Sequence, residues 1–259
     1  VPRMSEFVIL QPLLGCPDIK QGDDLRTILL NCVKSNQISL QDQDIICVAQ
    51  KVVSKAEGCQ INLKKVDPSD RALFYSEVLN KDARKIEVIL KESSKIVRYF
   101  KHEERIEGTL ICKHKLGFIS ANAGVDESNI EGEDTVLVLP KDPDLSAKAI
   151  RDYLKEKCGV NIGIVITDTF GRPWRVGQVN VAIGLAGLPA TIKERGRDAY
   201  GRALSVTEPA FCDEISAASG LVMKKSEKTP FVFMRGLKWN EVNHTAADVV
   251  REVKEDMFL

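Results

Sequence analysis

The chain has no excess of charge of either sign: 37 Lys and Arg stand against 37 Asp and Glu in 259 residues. No global field therefore draws nucleic acid or an anionic membrane surface to it, and any phosphate site has to be local. No apolar run approaches the roughly 18 residues of a membrane-spanning helix. No charged-then-apolar leader opens the sequence; Val1-Pro2-Arg3, ahead of Met4, reads as a cloning remnant, and the fold is taken as one unit over residues 4–259. The seven cysteines (Cys16, Cys32, Cys47, Cys59, Cys112, Cys158, Cys212) are odd in number, scattered and without a CxxC pair. That favours buried free thiols in a reducing cytoplasm over a disulfide frame or a zinc knuckle. His102, His114 and His244 lie far apart without metal-ligand spacing, so each reads as a surface or core histidine, and a metal here would be a hard ion on oxygen ligands. Repeats and low-complexity tracts are missing as well. So are the GxxxxGK[ST] loop and the kinase glycine loop, which leaves a nucleotide site, if there is one, of another kind.

What is present is ordinary for a globular chain: 44% hydrophobic and 29% charged residues, in a length that can bury a core. Gly22-Asp23-Asp24 precedes an amphipathic pattern (Leu25, Ile28, Leu29, Cys32), which predicts an Asp-capped helix. "DIICVAQKVVSK" (44–55) reads as a strand running to the turn Glu57-Gly58. Two helices are expected over 68–80 and 82–94, and a strand over 116–126 that breaks into a small-residue loop. The segment 144–159 reads as a helix with Ala149, Ile150, Tyr153 and Leu154 on one face and Gly159 as its stop. A strand at 161–167, a helix at 208–223, a strand at 229–236 and a last helix at 245–255 complete the reading. Without a clean βαβ repeat, the fold class is α+β.

Four stretches hold more polar and glycine residues than packing requires. "LLGCPDIKQGDDL" (13–25) is either a capped loop or an anion site at a helix start. In "AQKVVSKAEG" (49–58), Lys51 and Lys55 either guard a strand edge or meet a phosphate as point charges. "NAGVDESN" (122–129) sets Asn122, Asp126, Ser128 and Asn129 around Gly124, a plain Asx turn if taken alone. In "ITDTFGRPWRVGQ" (166–178), an apolar strand delivers Asp168 and Thr169, with Arg172 and Arg175 behind them. Asp126 and Asp168 each follow a strand and open a glycine-containing loop. Brought together they would repel unless a divalent cation lay between them. The two arginines would then serve as fork donors to phosphate or carboxylate, the logic of metal-assisted phosphoryl transfer.

These stretches, with "VILKES", "LPKDPDLSA", "DAYGRALSVTEPAFCDEISAASGLVM" and "MRGL", run in order from about Leu13 to Leu237. As an ordered set they resemble the coenzyme F420-0:γ-glutamyl ligases, the CofE-like amide ligases. The resemblance implies a mixed fold of two intimately packed subdomains with mixed and antiparallel sheets and flanking helices. It implies GTP as co-substrate, L-glutamate joined to F420-0 through an acyl phosphate, Mg²⁺ or Mn²⁺ with K⁺, and a homodimer. By matching position, Asp126 and Asp168 would ligate the divalent metal and Thr169 would complete a second metal's shell. Cys16-Pro17-Asp18-Ile19, Gln50, Lys51, Lys55 and Asn129 would contact GTP, Gln50-Lys51 standing where members carry small hydroxyl residues. Met223 and Lys224 would make the contact that members make from a glycine turn; lysine brings charge but adopts positive φ less cheaply. Arg172 and Arg175 match "GRxxR" and would act on phosphate or acidic substrate. Asn180 stands where an Asp is common. Two other readings stay open: a ligase of the same fold acting on a different acid, and a nucleotide-binding homologue without catalysis.

Overall fold

The computed structural model describes residues 7–256 other than 129–131, 133, 194, 195, 198, 205, 206, 225 and 226. In chain order its elements are β1 (Ile9–Pro12), α1 (Leu25–Ser35), β2 (Ile45–Ala49), α2 (Gln50–Ala56), β3 (Gln60–Asn62), α3 (Asp70–Leu79), α4 (Ala83–Glu92), β4 (Ser93–Phe100), β5 (Thr109–His114), β6 (Ile119–Ala121) and β7 (Thr135–Leu137). There follow α5 (Pro143–Cys158), β8 (Gly163–Arg172), β9 (Arg175–Ala186), β10 (Gly196–Arg197), β11 (Ala203–Leu204), α6 (Phe211–Gly220) and β12 (Phe231–Arg235).

The main sheet has the order β1-β12-β2-β8-β9, with β2 and β8 parallel and the other pairs antiparallel. Successive residues of a strand point to opposite faces, and here both faces are covered. Ile46 and Val48 join one core with Ile164 and Ile166, under α1 and α5; Ile45 and Cys47 join the other with Val165, under α6. Burial on both faces is why these strands read as unbroken apolar runs. A third core gathers Ala72, Leu79, Ile86 and Ile89 of α3 and α4 with Leu110 and Cys112 of β5, beside the three-stranded sheet β4-β5-β6. This is an α+β fold with mixed and antiparallel sheets, as the sequence pattern predicts. Among the described residues no helix is long and apolar enough to cross a membrane.

The caps of several helices are those the sequence announces. Asp24 accepts the Arg26 N–H at 3.2 Å at the start of α1, and Gly159 closes α5 at φ 71°. Five expectations need correction. The strand read over 44–55 stops at Ala49, and α2 begins at the next residue; Val52 and Val53 suggest extension, but Ser54 Oγ donates to Gln50 Oε1 at 2.9 Å one turn back. The strand read over 161–167 runs on to Arg172, because β9 pairs along its whole length. The helix expected over 245–255 is two short 3₁₀ turns, Ala246–Val249 and Val253–Glu255, with Val250 extended between them. On α5 it is Ala147, not Ala149, that packs with Ile150 and Leu154. All seven cysteines are free thiols, and Cys158 is exposed rather than buried.

Candidate active site

Because β2 and β8 are parallel and Ala49 pairs with Thr167, α2 leaves the sheet where β8 carries on through Asp168 and Thr169, and its first turn lies beside that pair. The crevice beyond the carboxyl ends of parallel strands is a common ligand position. A register shift between Ile166 and Thr167 marks a bulge against β9 at this point, a device that re-aims side chains near functional sites. The third segment to arrive is Asp126. Before it, Asn122, Ala123 and Gly124 hold φ values of 51°, 49° and 68° in succession, a left-handed turn that costs a buried alanine about 1–2 kcal/mol. Strain of this kind persists where the surroundings over-determine it.

These segments enclose a cleft of about 890 Å³, within the range of small-molecule sites. Cys16, Pro17, Asp18 and Ile19 line it from the loop ahead of α1, and Gln50, Lys51 and Lys55 line it from α2. Asp168 and Thr169 line it from β8, Asp126 from the segment after the Asn122–Gly124 turn, and Met223 and Lys224 close it after α6. Asn129 falls outside the described residues. Arg172 and Arg175 are not among the lining residues; they sit exposed at the end of the β8–β9 hairpin, beside Trp174. Lys20, Gln178, Asn180 and Lys228 line the cleft without having been singled out as site residues.

The electrostatics divide the cleft. Lys228 Nζ binds Asp18 Oδ1 at 2.8 Å. That bond, then the Lys228 charge, outweighs a little burial and, with Lys55 and Lys20 adding, holds the Asp18 carboxyl below its ordinary range. Burial works to raise the Asp126 carboxyl, but the Lys51 bond at 2.7 Å and the Ser128 N–H at 2.7 Å prevail and keep it low. Thr169 Oγ1 donates to Asn180 Oδ1 at 2.9 Å, which leaves the hydroxyl's lone pairs to face a ligand. Cys16 is no nucleophile: burial, then the Cys32 thiol, pushes it up to about 12, so it stays protonated. Lys224 is not among the positive-φ residues. The strain expected of a lysine in a glycine's place is therefore absent; its N–H reaches Thr229 Oγ1 at 3.2 Å and its Nζ pairs with Glu227 at 2.9 Å.

Among the described residues no group of three or more His, Cys, Asp or Glu gathers as a metal cluster. The donors that could hold an ion here are the two carboxylates and the Thr169 hydroxyl, an all-oxygen set that fits Mg²⁺ or Mn²⁺ completed by water and substrate oxygens.

A sequence model of F420-0:gamma-glutamyl ligase matches residues 14–236, a span that holds every cleft residue named above. The chain belongs to that family. Curated relatives agree along nearly the whole length. The coenzyme F420:L-glutamate ligase of Methanopyrus kandleri is 41% identical over 246 residues, covering 93% of each chain. That of Methanothermobacter thermautotrophicus is 40% identical over 88% of each, and that of Methanocaldococcus jannaschii 37% identical over 86% of this chain and 87% of its own. The F420-0:gamma-glutamyl ligases are enzymes, and the cleft at the β2/β8 switch is this one's candidate active site.

Proposed function

We propose that this ligase joins L-glutamate to the carboxylate of coenzyme F420-0, with GTP as the phosphoryl donor, in the cleft between α2, β8 and Asp126. The observation that carries the reading is the meeting, in one cleft, of a lysine-rich end with a two-carboxylate floor. The lysines on the Cys16–Ile19 side and on α2 suit a triphosphate, as ammonium groups do. The γ-phosphoryl group passes to an oxygen of the acceptor carboxylate and GDP leaves. The glutamate amine then attacks the acyl carbon; phosphate departs with that oxygen, a proton is released and the amide forms. Lys55, at the end of α2, places its charge beside the leaving nucleotide. Asp168 and Thr169, fixed by the β8–β9 pairing, with Asp126, would hold the divalent ion. When bound, that ion supplies charge neutralisation and in-line positioning of the phosphoryl group. K⁺ is proposed as the accompanying monovalent ion.

Glutamate, GTP, Mg²⁺ and F420-0 incubated with the protein should give glutamylated product and GDP in equal amounts. GDP formed only with another acid would move the acceptor; GTP bound without turnover for any acid would refute ligation. We further propose a homodimer. The exposed apolar side chains Leu73, Phe74 and Val78 of α3 and Tyr99 of the edge strand β4 form the surface a second copy would cover, and a monomer by analytical ultracentrifugation would refute it. A reducing cytoplasm is in keeping with seven free cysteines.

A further inference from the structure

Lys51 does something different from the other lysines of the cleft. Its ammonium lies 2.7 Å from Asp126 Oδ2 and 2.9 Å from the Ser128 carbonyl oxygen, and it also contacts Ser128 Oγ. Three oxygens, one of them anionic, surround a cation that has three N–H bonds to give. The side chain is 19% exposed and the Asp126 side chain 33%, so the pair is shielded and the attraction is stronger than at an open surface. The position is also fixed from below. Lys51 is the second residue of α2, which starts straight from β2, and β2 pairs with the strand that carries Asp168.

The oxygens of Asp126 are largely committed. Oδ1 accepts the Ser128 N–H at 2.7 Å, and Oδ2 accepts Lys51 and, at 3.2 Å, the Ser128 hydroxyl. Oδ1 keeps a lone pair for one ion. A second divalent ion on Oδ2 would stand a few ångströms from the ammonium and be repelled by it.

We propose that the Lys51 ammonium is a built-in cation at the Asp126 end of the cleft, taking a place that a metal ion would otherwise fill, so that each chain holds one divalent ion rather than two. The charge balance points the same way. Five lysines and three aspartates line the cleft, a surplus of two positive charges. A triphosphate brings roughly four negative charges, which that surplus and a single divalent ion neutralise. For the nucleotide alone, neutrality calls for no second divalent ion. The inference rests on the reading of Asp126 and Asp168 as metal carboxylates, and its test separates the two.

The measurement is the number of Mn²⁺ ions bound per chain, counted from the loss of the free aqueous Mn²⁺ signal in electron paramagnetic resonance, with and without GDP. Wild type should bind one ion, Lys51→Ser two, and Lys51→Arg, which keeps a cation on Asp126, one. Thermal unfolding establishes that each variant is folded; Lys51→Met, which retains the stem, replaces Lys51→Ser if that variant shows no transition. Two ions in wild type, or one in the folded neutral variant, overturns the inference. An Asp168→Asn variant that keeps the wild-type count overturns the metal-carboxylate reading beneath it. No binding in any variant overturns both.

Discussion

Acidification should expose the burial of His114. The ring ends β5, is 3% exposed, and lies parallel to Phe118 with the ring centres 5.1 Å apart. Phe118 in turn meets Phe170, which lines the cleft, at 4.9 Å. Nδ1 accepts the Leu116 N–H at 2.9 Å, so the neutral ring carries its proton on Nε2, which has no hydrogen-bond partner. Burial, with the Lys115 charge adding to it, lowers the pKa to about 4; Glu92, 3.8 Å from Nε2, does not offset the lost hydration. In the unfolded chain the ring titrates near about 6.5. Between those two values the unfolded chain binds more protons, so stability present above the unfolded pKa is lost as the pH falls toward the folded one. One such group costs about 2 kcal/mol between roughly pH 7 and pH 5. His114→Phe keeps an aromatic ring and removes the titration; the Leu116 N–H it strands costs about 1–3 kcal/mol at every pH. Urea unfolding of both proteins at the two pH values isolates the histidine, because the other titrating groups cancel in the difference. Wild type should lose about 2 kcal/mol more than the variant. Equal losses, or an NMR midpoint for His114 near its ordinary value, would refute the reasoning.

Three further outcomes are expected. Asp168→Asn keeps the shape of the side chain and removes its charge, so turnover should fall by more than about a hundredfold, about 2.7 kcal/mol, with the thermal midpoint little changed; a normal rate removes Asp168 from the metal site. At Gly184 an added Cβ would meet the backbone C and O of Pro143 at 2.5 Å, so Gly184→Ala should lower stability in urea by about 1–3 kcal/mol as α5 is pushed off β9, and an unchanged midpoint would show that α5 yields. Arg172→Ala combined with Arg175→Ala should leave the melting temperature unchanged and raise the KM for the acidic substrate about tenfold or more if either guanidinium reaches it; unchanged kinetics would place the hairpin end outside the reaction.

The site was legible where chemistry and local geometry coincide in a short stretch. "ITDTFG" announces an apolar strand that ends in oxygen donors, and "NAGVDES" announces a glycine turn with a carboxylate. Neither stretch announces that the two converge; in the fold Asp126 and Asp168 line one cleft. Lys228 could not be read, because what makes it a site residue is an ion pair to Asp18 across most of the chain's length. The hairpin was missed for a related reason. Strand β9 is exposed and polar at its start and buried at its end, so neither strict alternation nor an unbroken apolar run marks it. At α2 local preference misled: β-branched Val52 and Val53 outvoted the helix in the sequence, while packing of Val53 into the core decides it in the structure.

The junction between β2 and α2 has a consequence for how this enzyme can change. Ala49 is the last residue of a strand and Gln50 the first of a helix, with no loop to absorb a length difference. One inserted residue would turn every later side chain of the helix by about 100°. Lys51 would leave Asp126 and Lys55 would leave the cleft in the same step. The two lysines are thus geared together: substitutions can alter them one at a time, but a length change at the junction moves both at once.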